Sequence, residues 1–230
     1  MDEWSLNDTR SEMVNKTLAV LRKRVLSGEL AAGGALAENK LAQEQGISRG
    51  TLRTALQILE GEGLIRTLPN GRREAKSFTR HDVQELYALR IDLESRAWRM
   101  IQEKPVVDYA PLATILGEIG RMSQQEAPEA AWLRADIAFH RGVISLADSW
   151  AMVRCWDAIA PAMYAMLSIN EMRTTNADGC YRAVYEGEFY EKHRQIYEGI
   201  VAGRPELEQM LSAHIRDAME ISLEMVGDRT

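Results

Sequence analysis

Residues 36–65, Leu36-Ala-Glu-Asn-Lys-Leu-Ala-Gln-Glu-Gln-Gly-Ile-Ser-Arg-Gly-Thr-Leu-Arg-Thr-Ala-Leu-Gln-Ile-Leu-Glu-Gly-Glu-Gly-Leu-Ile65, with Pro69-Asn70-Gly71-Arg72-Arg73 just beyond, decide the fold of the N-terminal part. Gly46 suits the left-handed conformation that ends a short helix, and Ser48 is placed to cap the next one. A tight helix-helix turn results. Leu52, Ala55, Leu56 and Leu59 recur at the 3.6-residue period and form a buried face. Gly50, Arg53, Thr54 and Gln57 point the other way, flanked by Arg49 and Thr51. Gly63 stops this second helix. Leu64 to Leu68 and Arg72 to Phe78 read as short strands joined at Asn70-Gly71, a dipeptide suited to a hairpin turn with positive φ. Turn, cap, apolar phase and hairpin agree on a winged helix-turn-helix. Double-stranded DNA is therefore the first partner to consider. Arg49 and Arg53 can reach guanine edges or phosphates in the major groove, and Arg72 and Arg73 can track a phosphate backbone. The alternative is a surface helix pair with solvated charges.

The chain has 230 residues, enough for two domains, and is 46% hydrophobic, enough for two cores. Its net charge of -6 divides unevenly: residues 1–78 carry 12 Lys+Arg against 10 Asp+Glu, and residues 79–230 carry 16 against 24. The acidic part repels a polyanion, so DNA binding is expected to rest on a local patch and to weaken with salt. No run of about 18 apolar residues offers a membrane span, and Met1-Asp2-Glu3-Trp4 lacks the pattern of a signal peptide. A cytoplasmic protein with no membrane partner is expected. Cys155 and Cys180 are too few for a disulfide framework and show no Cys-x-x-Cys spacing, so buried free thiols are the expectation.

The boundary between an N-terminal domain, 1–78, and a C-terminal one, 79–230, falls near Phe78, where Thr79-Arg-His-Asp82 offers a capping-box-like start. Val83, Leu86, Leu89, Leu93 and Ala97 mark a helix to about Gln102, ended before Pro105. Further helices are expected at about 108–125, 129–147, 150–169, 187–202 and 206–226, with Thr174 to Gly179 the weakest-patterned stretch. Trp98, Trp132 and Trp156 read as core.

Three of the four histidines occupy related places in this half. Asp136 and His140 are four apart, hence neighbours on one helix face. His193 and His214 are equally distant from the joint Gly203-Arg204-Pro205, so in an antiparallel helix hairpin their imidazoles can converge. Three nitrogens and one carboxylate suit zinc or another first-row divalent metal. The spacing alone also fits a surface Asp-His pair and unrelated histidines.

From Val14 to Phe78 the chain resembles the GntR family of bacterial transcription regulators. The residues that carry this are Leu21-Arg22, Gly28-Glu29-Leu30, Gly33, Leu41-Ala42, Ser48-Arg49, Leu52-Arg53, Ala55-Leu56, Leu59 and Glu62-Gly63-Leu64. The resemblance implies DNA contacts at Arg49, Thr51, Arg53 and the wing glycine Gly71. Gly50-Thr51 stands where Thr-Pro is frequent, Thr54 replaces a frequent Glu, and Asn39 sits where some members use a DNA-contacting Arg, so no operator sequence is inherited. Asp136-Ile-Ala-Phe-His140, His193-Arg-Gln-Ile196 and His214 resemble the three metal-binding stretches of the FadR-type ligand domain, called FCD, an all-helical bundle. Leu86 to Glu94 resembles its opening helix. That resemblance implies a metal held by Asp136, His140, His193 and His214, zinc first with nickel or manganese as alternatives, and a small organic-acid effector bound there. Arg90 is the first candidate for a second carboxylate anchor, with an i,i+4 ion pair to Glu94 as its alternative role. Asn170, Arg173 and Tyr181 are weaker candidates.

The expected protein is mainly α, a winged helix-turn-helix followed by an FCD-type bundle. It is expected to be a homodimeric repressor that recognises an inverted-repeat operator, and not an enzyme. The competing reading is a metal-dependent hydrolase fused to a DNA-binding module, although no separate Glu or His is placed as a general base.

Overall fold

The computed structural model describes residues 3–26, 29–30, 34–76, 78–124, 129–174 and 180–226, with side chains described in 12–25, 29–30, 34–76, 78–124, 131–164 and 188–223. The chain separates into two compact units, Met1–Ser77 and Phe78–Thr230. Among the described residues no helix is long and apolar enough to cross a membrane.

The first unit contains α1 (Glu3–Leu26), α2 (Glu38–Glu44), α3 (Arg49–Gly61), β1 (Ile65–Thr67) and β2 (Arg73–Ala75). Ser48 caps α3, its Oγ accepting from the Thr51 N–H at 3.0 Å, and Gly46 makes the preceding turn with φ 62°. Val14, Leu18, Leu21 and Val25 line one face of α1 and are buried with Leu52, Ala55, Leu56 and Leu59 of α3, against which α1 packs. Arg22 Nε donates to Glu62 Oε2 at 2.8 Å and ties α1 to the end of α3. Leu56 has no exposed surface, so Leu56→Ala is expected to cost about 2–5 kcal/mol. The urea midpoint of the N-terminal unit measures this; an unchanged midpoint would place Leu56 outside the core.

The wing differs in detail from a two-residue hairpin turn. β1 pairs antiparallel with β2, Ile65 opposite Ala75 and Thr67 opposite Arg73. The Gly71 N–H donates to the Leu68 carbonyl at 2.8 Å, and the Leu68 N–H donates to the Arg72 carbonyl at 2.8 Å. Gly71 has φ 76°, whereas Asn70 does not take a positive φ. Pro69 favours the second position of an ordinary turn, so the loop has three residues and closes on a left-handed glycine.

The second unit is helical: α4 (Arg80–Gln102), α5 (Ala110–Met122), α6 (Glu129–Leu146), α7 (Trp150–Thr174), α8 (Cys180–Ala202) and α9 (Leu207–Val226). Thr79 and Asp82 form the capping box of α4, with Asp82 N–H to Thr79 Oγ1 at 3.1 Å and Thr79 N–H to Asp82 Oδ2 at 2.8 Å. α4 packs on α6, α7 and α9, around a core that includes Trp98, Trp132, Phe139 and Trp156. Gly142 allows α5 to approach α6 closely, because a Cβ there would lie 2.8 Å from Leu112 Cδ1. α7 runs through Pro161 to Thr174, and α8 begins at Cys180 rather than near 187, since an isolated helical Gly187 is tolerated. Residues 175–179 of the weakly patterned stretch lie outside the described residues.

One expectation about the thiols is corrected. Cys155 is free and exposed, on a part of α7 turned away from the core, while the side chain of Cys180 lies outside the described residues.

Candidate metal centre and nucleic-acid interface

Helical spacing puts Asp136 and His140 on one face of α6. The α8–α9 hairpin, turned at Gly203 with φ 63°, brings His193 and His214 to meet them. One donor atom from each of the four residues can be chosen so that all lie within 4.8 Å of one another. His140 Nε2 is 3.2 Å from His214 Nε2, and His193 Nε2 is 3.3 Å from Asp136 Oδ1.

The outer nitrogens decide the protonation pattern. His193 Nδ1 lies 2.7 Å from the Phe189 carbonyl, which can only accept, so Nδ1 carries the proton there. His140 Nδ1 lies 2.6 Å from Glu94 Oε2 and donates to that carboxylate. Both rings in their neutral form then turn an Nε2 lone pair inward. His193 Nε2 and Asp136 Oδ2 are buried without a hydrogen-bond partner. Inward lone pairs beside a carboxylate repel one another unless a cation stands among them, so the residues present fit a divalent metal.

Charge states agree with this. Burial pushes the Asp136 carboxyl up, but Arg90, His140 and His193 outweigh it and hold the group well below the usual carboxylate range. Glu94 is likewise lowered, burial being overcome by His140 and Arg90. Burial, reinforced by Arg90, keeps His140 below its ordinary value despite Glu94 and Asp136. Burial with the neighbouring His193 and His140 holds His214 well below it. The site thus presents ionised carboxylates, with His140 and His214 as neutral imidazoles, the forms that bind metal.

Arg90 is fully buried beside this quartet. Its Nε donates to Glu94 Oε1 at 2.9 Å, its Nη2 lies 3.6 Å from Asp136 Oδ2, and its guanidinium sits 5.8 Å from the centre of the Trp156 ring. Nη1 and Nη2 have no hydrogen-bond partner. The i,i+4 pair with Glu94 is therefore present, and two donors remain for a ligand. The residue missed from sequence is Glu94 as the partner that orients His140. It lies 46 positions away in the chain, and its only local signal is the spacing to Arg90. The side chains of Asn170, Arg173 and Tyr181 lie outside the described residues.

In the first unit, Arg49, Arg53 and Arg72 are exposed and Gly71 closes the wing tip. Thr51 is 8% exposed, with Oγ1 2.8 Å from Ser48 Oγ, so it packs into the start of α3. One expectation is corrected. Arg73 is drawn inward: its Nη1 donates to Glu38 Oε1 at 3.0 Å and its Nε lies 3.8 Å from Glu60 Oε2.

Comparison with known proteins gives a consistent result. Residues 14–72 match the family model "Bacterial regulatory proteins, gntR family", and residues 85–217 match the FCD domain. The gluconate operon transcriptional repressor of Bacillus subtilis (strain 168) is 28% identical over 155 residues, covering 65% of this chain, and the chain spans 61% of that repressor's length. A D-xylose utilisation operon transcriptional repressor of Paenarthrobacter nicotinovorans, so described as probable, is 22% identical over 94% of this chain and 91% of its own. Among solved structures, a GntR transcriptional regulator from Rhodococcus sp. RHA1 has a similar fold, with TM-score 0.63 and 22% identity over 92% of this chain and 97% of that one. With a helix-turn-helix and wing ahead of a helical bundle that carries the histidine quartet, and with the FCD model alone matching more than half of its length, this chain belongs to the GntR family of bacterial regulatory proteins and carries an FCD domain.

Proposed function

We propose that this protein is a homodimeric, effector-responsive transcription regulator of the cytoplasm, a repressor, that binds an inverted-repeat operator through residues 1–78 and a small organic acid through residues 79–230. Asp136, His140, His193 and His214 would hold one divalent ion, zinc first, with nickel or manganese as alternatives. The observation that carries the reading is the inward-facing quartet with two guanidinium nitrogens of Arg90 beside it that make no hydrogen bond, Nη2 facing Asp136 at 3.6 Å. A bound metal would supply positive charge and open coordination positions for a carboxylate. Arg90 would grip a second oxygen pair through its planar fork. Asn170, Arg173 and Tyr181 are further candidates for that pocket.

Coupling to DNA requires that the acid favour one of two arrangements of the recognition helices, and the effect is reciprocal between the sites. Dimeric binding to two half-sites would present paired α3 helices to successive major grooves. No observation favours a hydrolase. Glu94, the carboxylate beside the quartet, is engaged with His140 and Arg90.

The test is a DNA-binding titration across an organic-acid panel, in wild type and His140→Ala. The relatives' names speak of gluconate and D-xylose operons, so sugar acids head the panel. One acid is expected to shift wild-type DNA affinity by about 1–3 kcal/mol, and the variant to lose most of that shift. An acid that shifts both proteins equally would make the metal structural and move sensing elsewhere. Separately, Arg53→Ala is expected to weaken operator binding by roughly 1–3 kcal/mol with metal content unchanged, as for loss of a bidentate base contact. Equal affinity of variant and parent across salt concentrations would remove Arg53 from the readout.

A further inference from the structure

We infer that Glu38, the first residue of α2, is a positioning residue for DNA recognition: it holds the Nε edge of Arg53, ties it to the wing, and widens the gap between operator and non-specific binding. This rests on the reading of Arg53 as a base contact.

The Glu38 carboxylate bridges two arginines. Oε1 accepts from Arg73 Nη1 at 3.0 Å, and Oε2 lies 3.6 Å from Arg53 Nε. The Arg73 side chain is only 16% exposed and also faces Glu60, whose Oε1 accepts from the Thr67 N–H at 3.1 Å. Glu38 is therefore anchored from below by a largely buried cation. Its other oxygen reaches up to Arg53, whose side chain is 68% exposed. α2, α3 and both wing strands are joined through this chain of contacts.

With Nε turned to Glu38, the Nη1 and Nη2 nitrogens of Arg53 are left for a ligand. A guanidinium presented this way can make a bidentate contact with guanine O6 and N7. Holding it beforehand lowers the ordering cost of that contact. The carboxylate also has a cost, because a negative charge beside a polyanion weakens phosphate binding on every sequence. On an operator the oriented Arg53 offsets that repulsion. On other DNA nothing does, so Glu38 acts against the wrong partner as well as for the right one.

The test uses full-length Glu38→Gln, which keeps shape and removes charge. The probes are a duplex selected from a random pool by the wild-type protein and poly(dI-dC), each titrated across salt. Operator affinity is expected to fall and non-specific affinity to rise several-fold, with the non-specific salt slope steeper by about one unit. The ratio of the two affinities is expected to drop about tenfold. Glu38→Asp, which keeps the charge, is expected to retain the low non-specific affinity. In an Arg53→Ala background, Glu38→Gln is expected to leave the operator's advantage unchanged, since the group it positions is gone. If Glu38→Gln weakens both probes by the same factor, or acts equally in both backgrounds, Glu38 is only a strut for Arg73 and the inference is overturned. If Arg53→Ala alone leaves operator affinity intact, the reading of Arg53 fails first and carries this one with it.

Discussion

His193→Ala is expected to empty the metal centre. Wild-type protein prepared without chelator should carry about one divalent ion per chain by elemental analysis, and the variant about a tenth of that or less, because the remaining donors leave the site open to water. His193 is fully buried and its Nδ1 lies 2.7 Å from the Phe189 carbonyl, which turns Nε2 toward the other ligands. Glu94→Gln should do less, about 10- to 100-fold in metal affinity, because Glu94 acts through His140. Wild-type protein that takes up no metal even on reconstitution would remove the ion from the proposal. A pH dependence accompanies the metal-free form. Burial keeps His140 and His214 below the ordinary histidine value of 6.5, so the unfolded chain binds protons that the folded one refuses. Their contribution is present above about 6.5 and declines as pH falls below it. Acid unfolding of apoprotein that begins no earlier than that of a His140→Ala, His214→Ala double variant would contradict this.

Arg90 carries the second large effect. Arg90→Met would leave the Glu94 and Asp136 carboxylates buried beside an apolar side chain, which should cost about 3–5 kcal/mol of stability in metal-free protein. Denaturant titration reads this directly. Arg90→Lys keeps the charge but loses the planar fork, so the fold should survive with metal content retained while affinity for the acid that shifts DNA binding drops about tenfold or more. Calorimetry with that acid separates the two roles of Arg90. Wild-type affinity in Arg90→Lys would leave the residue only as the counter-ion of Glu94 and Asp136.

Much of this architecture is local and therefore legible along the chain. The Gly46 turn, the Ser48 cap, the Thr79–Asp82 capping box and the apolar phase of α3 each depend on residues within a few positions of one another. The pairing of His193 with His214 was legible for a related reason, since helix rise and a glycine at the joint determine which residues of a hairpin face each other. α1 could have been read from Val14, Leu18, Leu21 and Val25, which repeat at helical spacing. The inward turn of Arg73 had no such signal. Two adjacent arginines at a wing look alike in sequence, and only the strand register puts one over the groups of α2 and α3.

By itself, then, the sequence determined the helix-turn-helix with its wing and the helical nature of the second unit, because periodicity, caps and turns act over short stretches of chain, while the four candidate metal residues followed from spacing joined to the family resemblance. The tertiary structure alone decided that Glu94 orients His140, that two donors of Arg90 make no hydrogen bond beside the quartet, that Thr51 is packed away, and that Glu38 stands between Arg53 and Arg73. Those contacts join residues on different elements. Their distances depend on how helices and strands pack and on which charges can be buried together, and no spacing along the chain encodes either.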